Sequence, residues 1–174
     1  MPPSDGAIDS IVAEIAPRMT SLKVVHLALV ASVAVFLCFV LAQEPASAEG
    51  GRDVAIAALA CAAGSAALSF VLPAVFRRAG LAALRGREEI PAEALLGPYQ
   101  TGHIAGMALL EGAGFLACFA LSGGAGSVPR WFVAIPLGIL ALMLVRFPRP
   151  RAVAEWIASA REALVAGEGD RPRG

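Results

Sequence analysis

The sequence predicts an all-α fold, an integral membrane four-helix bundle with amphipathic interfacial helices at both ends. Three observations predict it. The 174-residue chain is 57% hydrophobic and only 16% charged, with a mean hydropathy of +0.71; soluble domains carry about 25% charged residues. Its apolar residues gather into four long runs with almost no charge, the pattern of a chain that crosses a bilayer several times. Lys and Arg, finally, crowd onto alternate connections between those runs.

Residues 1–21 open with a turn-like Pro-Pro-Ser-Asp. Ile8, Ile11, Val12, Ile15 and Met19 then recur at helical spacing. Ser4 or Asp5 is a candidate cap, and Asp9 and Glu14 fall on the polar side. The segment is too short and too polar to cross a membrane, so the expectation is an amphipathic helix lying on its surface.

The transmembrane domain is expected over residues 22–147, with spans at about 22–42, 54–76, 101–122 and 131–147. The uncharged run 24–42 matches a hydrocarbon core of about 30 Å at about 1.5 Å of rise per residue. It exceeds the apolar core of a cleaved leader, about 7–15 residues, and reads as a retained helix. In the second span Ala57, Ala60, Gly64 and Ala67 are spaced for close helix packing, and Pro73 is placed to bend its end. The connection 77–100 carries four Arg and three Glu, a solvated surface. Pro91 is placed to open a short helical turn before the third span. A Gly-rich turn, 123–130, leads to the fourth span, which has Trp131 as an interfacial anchor and Arg146 placed to snorkel. In residues 148–174, Val153, Trp156, Ile157, Ala160 and Leu164 repeat at helical spacing. They read as a second interfacial helix followed by a polar tail.

Orientation follows from the basic residues. Twelve of the fourteen lie before residue 24, between 77 and 100, or after 145, and only Arg52 and Arg130 lie on the other two loops. Both termini are therefore expected in the cytoplasm. With thirteen Arg to one Lys and abundant Ala and Gly, the composition is that of a GC-rich bacterial genome. The expected location is a bacterial inner membrane. The lipid bilayer is the expected partner, with a second copy or a membrane complex beside it. Zero net charge offers nothing to nucleic acid.

The third span carries the chemistry. Residues 101–122 read TGHIAGMALLEGAGFLACFALS, with one carboxylate, Glu111, at the middle. An ionisable group at bilayer depth is costly and marks a candidate functional site. On a helical wheel Gly102, Gly106, Ala113, Ala117 and Ala120 form one narrow packing stripe. Glu111 falls opposite, near Ile104, Met107, Phe115 and Cys118. His103 lies eight residues before Glu111, about 12 Å along the axis. His103 and His26 are candidates for a water-mediated proton relay, or else interfacial histidines bonded to backbone or headgroups. No catalytic set is apparent: the chain has no HExxH, no Ser/His/Asp spacing and no second intramembrane carboxylate. Cys38, Cys61 and Cys118 lie in separate apolar runs without CxxC spacing and read as small buried hydrophobes. No metal site or cofactor is expected.

Residues 108–122, ALLEGAGFLACFALS, resemble the carboxylate-bearing helix of the ATP synthase c subunit, as does the Thr101-xx-Ile104 lead-in. The order is similar too: an Ala/Gly-rich helix, a polar connection with Arg, then the carboxylate helix. The chain also resembles a broader group of bacterial four-span membrane proteins with a TxxI…ALxEG helix. The c-subunit resemblance implies that Glu111 binds and releases a proton or sodium ion. It is confined to the third span: the c subunit's Gly-repeat stripe and short Arg-Gln-Pro loop have no counterpart here. The leading expectation is a polytopic protein without catalytic activity, a subunit or accessory of a membrane complex. The alternative is an ion-translocating protein that uses Glu111.

Overall fold

A computed structural model describes residues 5–43, 51–87, 89–122 and 130–168, and among them every regular element is helical. Five α-helices follow one another: α1 (Asp5–Ala42), α2 (Gly51–Leu84), α3 (Ala92–Ser122), α4 (Ala134–Val145) and α5 (Pro150–Glu168). A 3-10 turn, Arg130–Val133, precedes α4. Most of the two short loops expected at 43–53 and 123–130, and the tail beyond 168, lie outside the described residues. Three helices, α1, α2 and α3, are long and apolar enough to cross a membrane. A fourth is reached only by counting α4 together with the helix after it. The 3-10 turn and α4 alone reach only about 24 Å at the α-helical rise, short of a hydrocarbon core of about 30 Å.

The chain divides into two compact units. One comprises residues 1–24, 73–103 and 148–174. Its core takes Ile8, Ile11, Ile15, Met19 and Leu22 from α1, Leu84 from α2, Ala92, Leu95 and Leu96 from α3, and Val153, Ile157 and Leu164 from α5. These are the i, i+3, i+4 faces of their helices. The two amphipathic segments expected on a membrane surface therefore bury their apolar faces against protein. The N-terminal one is also no separate helix: α1 runs on through Pro17, which has no N–H to give the carbonyl four residues back.

Polar contacts fix the helices of this unit to one another. The first turn of α3 has backbone N–H groups with no partner inside the helix. Glu14, from α1, accepts one of them, the Ala92 N–H, at 3.0 Å. Arg18 pairs with Glu93 at 3.0 Å, and Arg161 Nε donates to the Ile90 carbonyl at 3.0 Å. After Leu84 the chain turns through Gly86 at φ 82°, a left-handed conformation that suits glycine at a helix end. Between α2 and α3, a Cβ on Gly102 would stand 2.9 Å from the Pro73 Cα. Only glycine lets the two backbones come so near.

The second unit comprises residues 25–72 and 104–147. Its main core joins Val33, Ala62, Met107, Leu110, Ala113, Ala117, Ile139 and Met143. Two flanking clusters hold Leu37, Val40 and Cys118, and Ala58, Ala120 and Phe132. Residues of α3 enter all three, so α3 is the hub of this unit. Of the three long helices its most apolar window is also the most buried, 44% against 22% for α1 and 17% for α2. Large apolar side chains point outward, among them Val35, Phe39, Leu68, Phe70, Phe119 and Leu144. Ala57, Ala60, Gly64 and Ala67 of α2 are exposed as well, and nothing lies within 4 Å of where a Gly64 Cβ would be. The packing face of α2 is instead the one bearing Ala58, Ala62 and Ser69. Cys38 and Cys61 are likewise exposed, and only Cys118 is buried.

Ile15 distinguishes a protein core from a membrane surface for residues 1–21. It is fully buried beside α3 and α5 residues. Ile15→Ala should cost about 2–5 kcal/mol, the range for a large aliphatic side chain removed from a packed core. Equilibrium unfolding in detergent measures this, and a change under about 0.5 kcal/mol, the surface value, would contradict the packing.

Candidate functional site

Glu111 is half-buried in the middle of α3, facing α1. The sequence around it explains how the two helices come close enough. Three residues on is Gly114, where a Cβ would stand 2.7 Å from Val33 Cγ1. The missing side chain admits Val33, and so brings its neighbour Ser32 to the carboxyl group. One turn further Phe36 meets Phe115 edge to face, with ring centroids 5.2 Å apart and planes at 77°. Leu37 and Cys118 share the next cluster. Residue numbers rise together along both helices, so α1 and α3 run parallel along this seam.

The Ser32 hydroxyl donates to Glu111 Oε1 at 2.5 Å, and its oxygen is also 2.7 Å from the Leu29 carbonyl. One hydroxyl proton cannot serve both acceptors. The Leu29 carbonyl already accepts its helix-ladder bond, so Ser32 can give its proton to Glu111 without leaving that carbonyl unsatisfied. Among the described residues no Lys, Arg or His forms an ion pair with Glu111.

A second serine has the same geometry. Ser69 of α2, fully buried, donates to the Ala66 carbonyl at 2.7 Å and accepts from Arg146 Nη1 at 2.8 Å. The Arg146 guanidinium also lies 4.8 Å from the centroid of the Phe70 ring, within reach of a cation–π attraction. Arg146, which the sequence places as a snorkelling residue, is thus engaged with α2.

The two histidines have their own surroundings. His26 is buried and edge-on to Phe147, with ring centroids 5.2 Å apart. His103 stacks on Tyr99, four residues earlier on α3, with centroids 6.2 Å apart and planes at 6°. Gly102, Gly106, Ala113, Ala117 and Ala120 are all buried. Ala113 and Ala117 pack with Ala62, Ile139 and Met143, and Ala120 with Ala58 and Phe132. The side of α3 opposite this stripe is no bare carboxylate face, because Met107 and Cys118 are also fully buried there.

No family model, curated protein or solved structure matches the chain. The reading of the site therefore rests on its own geometry. Among the described residues no group of three or more His, Cys, Asp and Glu side chains is placed to hold a metal ion. Sequence reasoning passed over Ser32 and Ser69. For Ser32 the available signal was its rarity, as the one hydroxyl in the run 24–42.

If Ser32 and Glu111 bond as placed, they are energetically coupled. A double-mutant cycle with Ser32→Ala and Glu111→Leu should give a coupling of about 0.6–1.7 kcal/mol, the span seen for interhelical hydrogen bonds in lipid. Glu111→Gln keeps an N–H donor and should cost less than Glu111→Leu. Additive single-mutant losses would show that the contact carries no energy.

Proposed function

We propose that the chain is a multi-pass protein of a bacterial inner membrane, with both termini cytoplasmic. It acts as a subunit or accessory of a membrane complex and has no catalytic activity of its own. One observation carries this reading: in the unit that holds Glu111, the polar side chains bond between helices while large apolar side chains face outward. Glu111 meets Ser32 and Arg146 meets Ser69. Val35, Phe39, Phe70 and Phe119 are more than half exposed. Such a surface suits lipid, and such pairs satisfy polar groups where water is absent. Glu111 is then a link between α1 and α3.

A specific feature favours the second reading, translocation of a proton or sodium ion. Among the described residues the partner of Glu111 is a hydroxyl and not a cation, so no ion pair holds the carboxyl group against exchange. The resemblance of residues 108–122 to the ATP synthase c subunit points the same way.

Two experiments test these readings. For orientation, Gln43→Cys and Ser159→Cys are made separately in a chain lacking the three native cysteines; both positions are exposed. In intact spheroplasts an impermeant maleimide should label Cys at 43 and not at 159. The reverse pattern would invert the topology. For Glu111, proteoliposomes under an imposed potential should show no proton or sodium uptake that Glu111→Gln abolishes. Uptake lost in that variant would replace the structural role with the transporting one.

A further inference from the structure

Arg77 stands where the apolar stretch of α2 ends: residues 54–76 are uncharged, and Arg77 is the first charge after them. Its guanidinium is held with unusual definition. Nε donates to the Pro73 carbonyl at 3.1 Å. The Cζ atom lies 5.9 Å from the centroid of the Tyr99 ring and 5.9 Å from that of Trp156. Those two rings are themselves 5.5 Å apart, and His103 stacks on Tyr99. Three helices, α2, α3 and α5, thus build one half-buried cluster around a single cation.

The cluster leaves that cation chemically unfinished. Among the described residues no carboxylate pairs with Arg77, and nothing accepts a hydrogen bond from its two Nη groups. Those groups carry four N–H donors in a fixed planar fork, which matches the paired oxygens of a phosphate. A half-buried guanidinium with this open fork is well placed to take an anion from outside the chain. Tyr and Trp are the residues of the membrane–water boundary, and Arg77 lies at the boundary of an apolar run.

We propose that Arg77, flanked by Tyr99 and Trp156, binds the phosphate of an anionic phospholipid headgroup. The inference rests on the membrane-spanning reading above. Free inorganic phosphate offers the same oxygens, but it makes no use of the adjoining apolar stretch or of the two rings. Exposed Arg78, with no ring against it among the described residues, adds charge without a site.

Trp131→Phe leaves Trp156 as the sole tryptophan and a reporter inside the cluster. The protein in uncharged detergent is titrated with phosphatidylglycerol, with phosphatidylcholine, and with inorganic phosphate. Phosphatidylglycerol should change Trp156 emission saturably. Phosphatidylcholine and inorganic phosphate should need at least several-fold more to do so. Arg77→Gln should weaken the phosphatidylglycerol response about tenfold or more, as loss of a charge-assisted hydrogen bond predicts; Arg78→Gln should leave it unchanged. Should Arg77→Gln fail to fold, Arg77→Lys keeps the charge without the fork and should still weaken binding several-fold. Equal responses to the two lipids, an equal response to inorganic phosphate, or an unaffected Arg77 variant that folds would each overturn the site. Alkaline carbonate extraction of cell membranes separates the two failures. A chain that stays in the pellet but ignores phosphatidylglycerol loses the site alone, whereas a chain released to the supernatant loses the membrane reading and the lipid site with it.

Discussion

A polar group packed among apolar side chains must find its hydrogen-bond partner within the protein, and the matching of the helices follows that constraint. Ser32 and Ser69 meet it in the same way. Each hydroxyl lies against the carbonyl three residues back on its own helix, and each meets a side chain from another helix. A serine used so converts a backbone carbonyl, already bonded in the helix ladder, into an anchor for a distant carboxyl or guanidinium group. The chain has few charges in its apolar runs, and these two hydroxyls fix how two of its helix pairs are matched.

Close approach is the other half of the same arrangement. The Ser32–Glu111 contact is short because Gly114 admits Val33. Dispersion forces fall off steeply with distance, so helices joined by small residues gain contact along the whole seam. The buried alanines of α3 do for its other side what Gly114 does for α1. In the unit of residues 1–24, 73–103 and 148–174 the balance differs. Large aliphatic side chains fill the core, and charged groups on its rim, such as Glu14 on the Ala92 N–H, fix the helix ends.

Much of the fold is legible in the sequence. The apolar runs give the all-helical class, and the lone carboxylate and the small-residue stripe of α3 stand out without coordinates. What is not legible depends on contacts between distant segments. Ile8, Ile11 and Ile15 form an amphipathic face, but the face itself does not say whether lipid or protein covers it. The answer lies in Leu95, Leu96 and Ile157, far along the chain. For α2 the difficulty is different. A helix that is apolar all round has no polar side to mark its outside, so Ala57 and Gly64 look as suited to packing as Ala58 and Ala62. Ser32, Ser69 and the Arg77 cluster escaped for a third reason: a serine or an arginine is chemically ordinary until a specific partner stands beside it.

The parallel seam between α1 and α3 also bears on the order in which the protein is made. Ser32 and Glu111 are 79 residues apart. At about 5–20 residues per second of translation, Ser32 emerges roughly 4–16 s before the residue it bonds. During that delay the hydroxyl has the Leu29 carbonyl on its own helix to bond, so α1 exposes no unsatisfied donor while it waits. The later helix brings the more demanding group, a carboxyl, and meets a partner already in position. Biosynthesis thus introduces the inexpensive polar group first and the expensive one last.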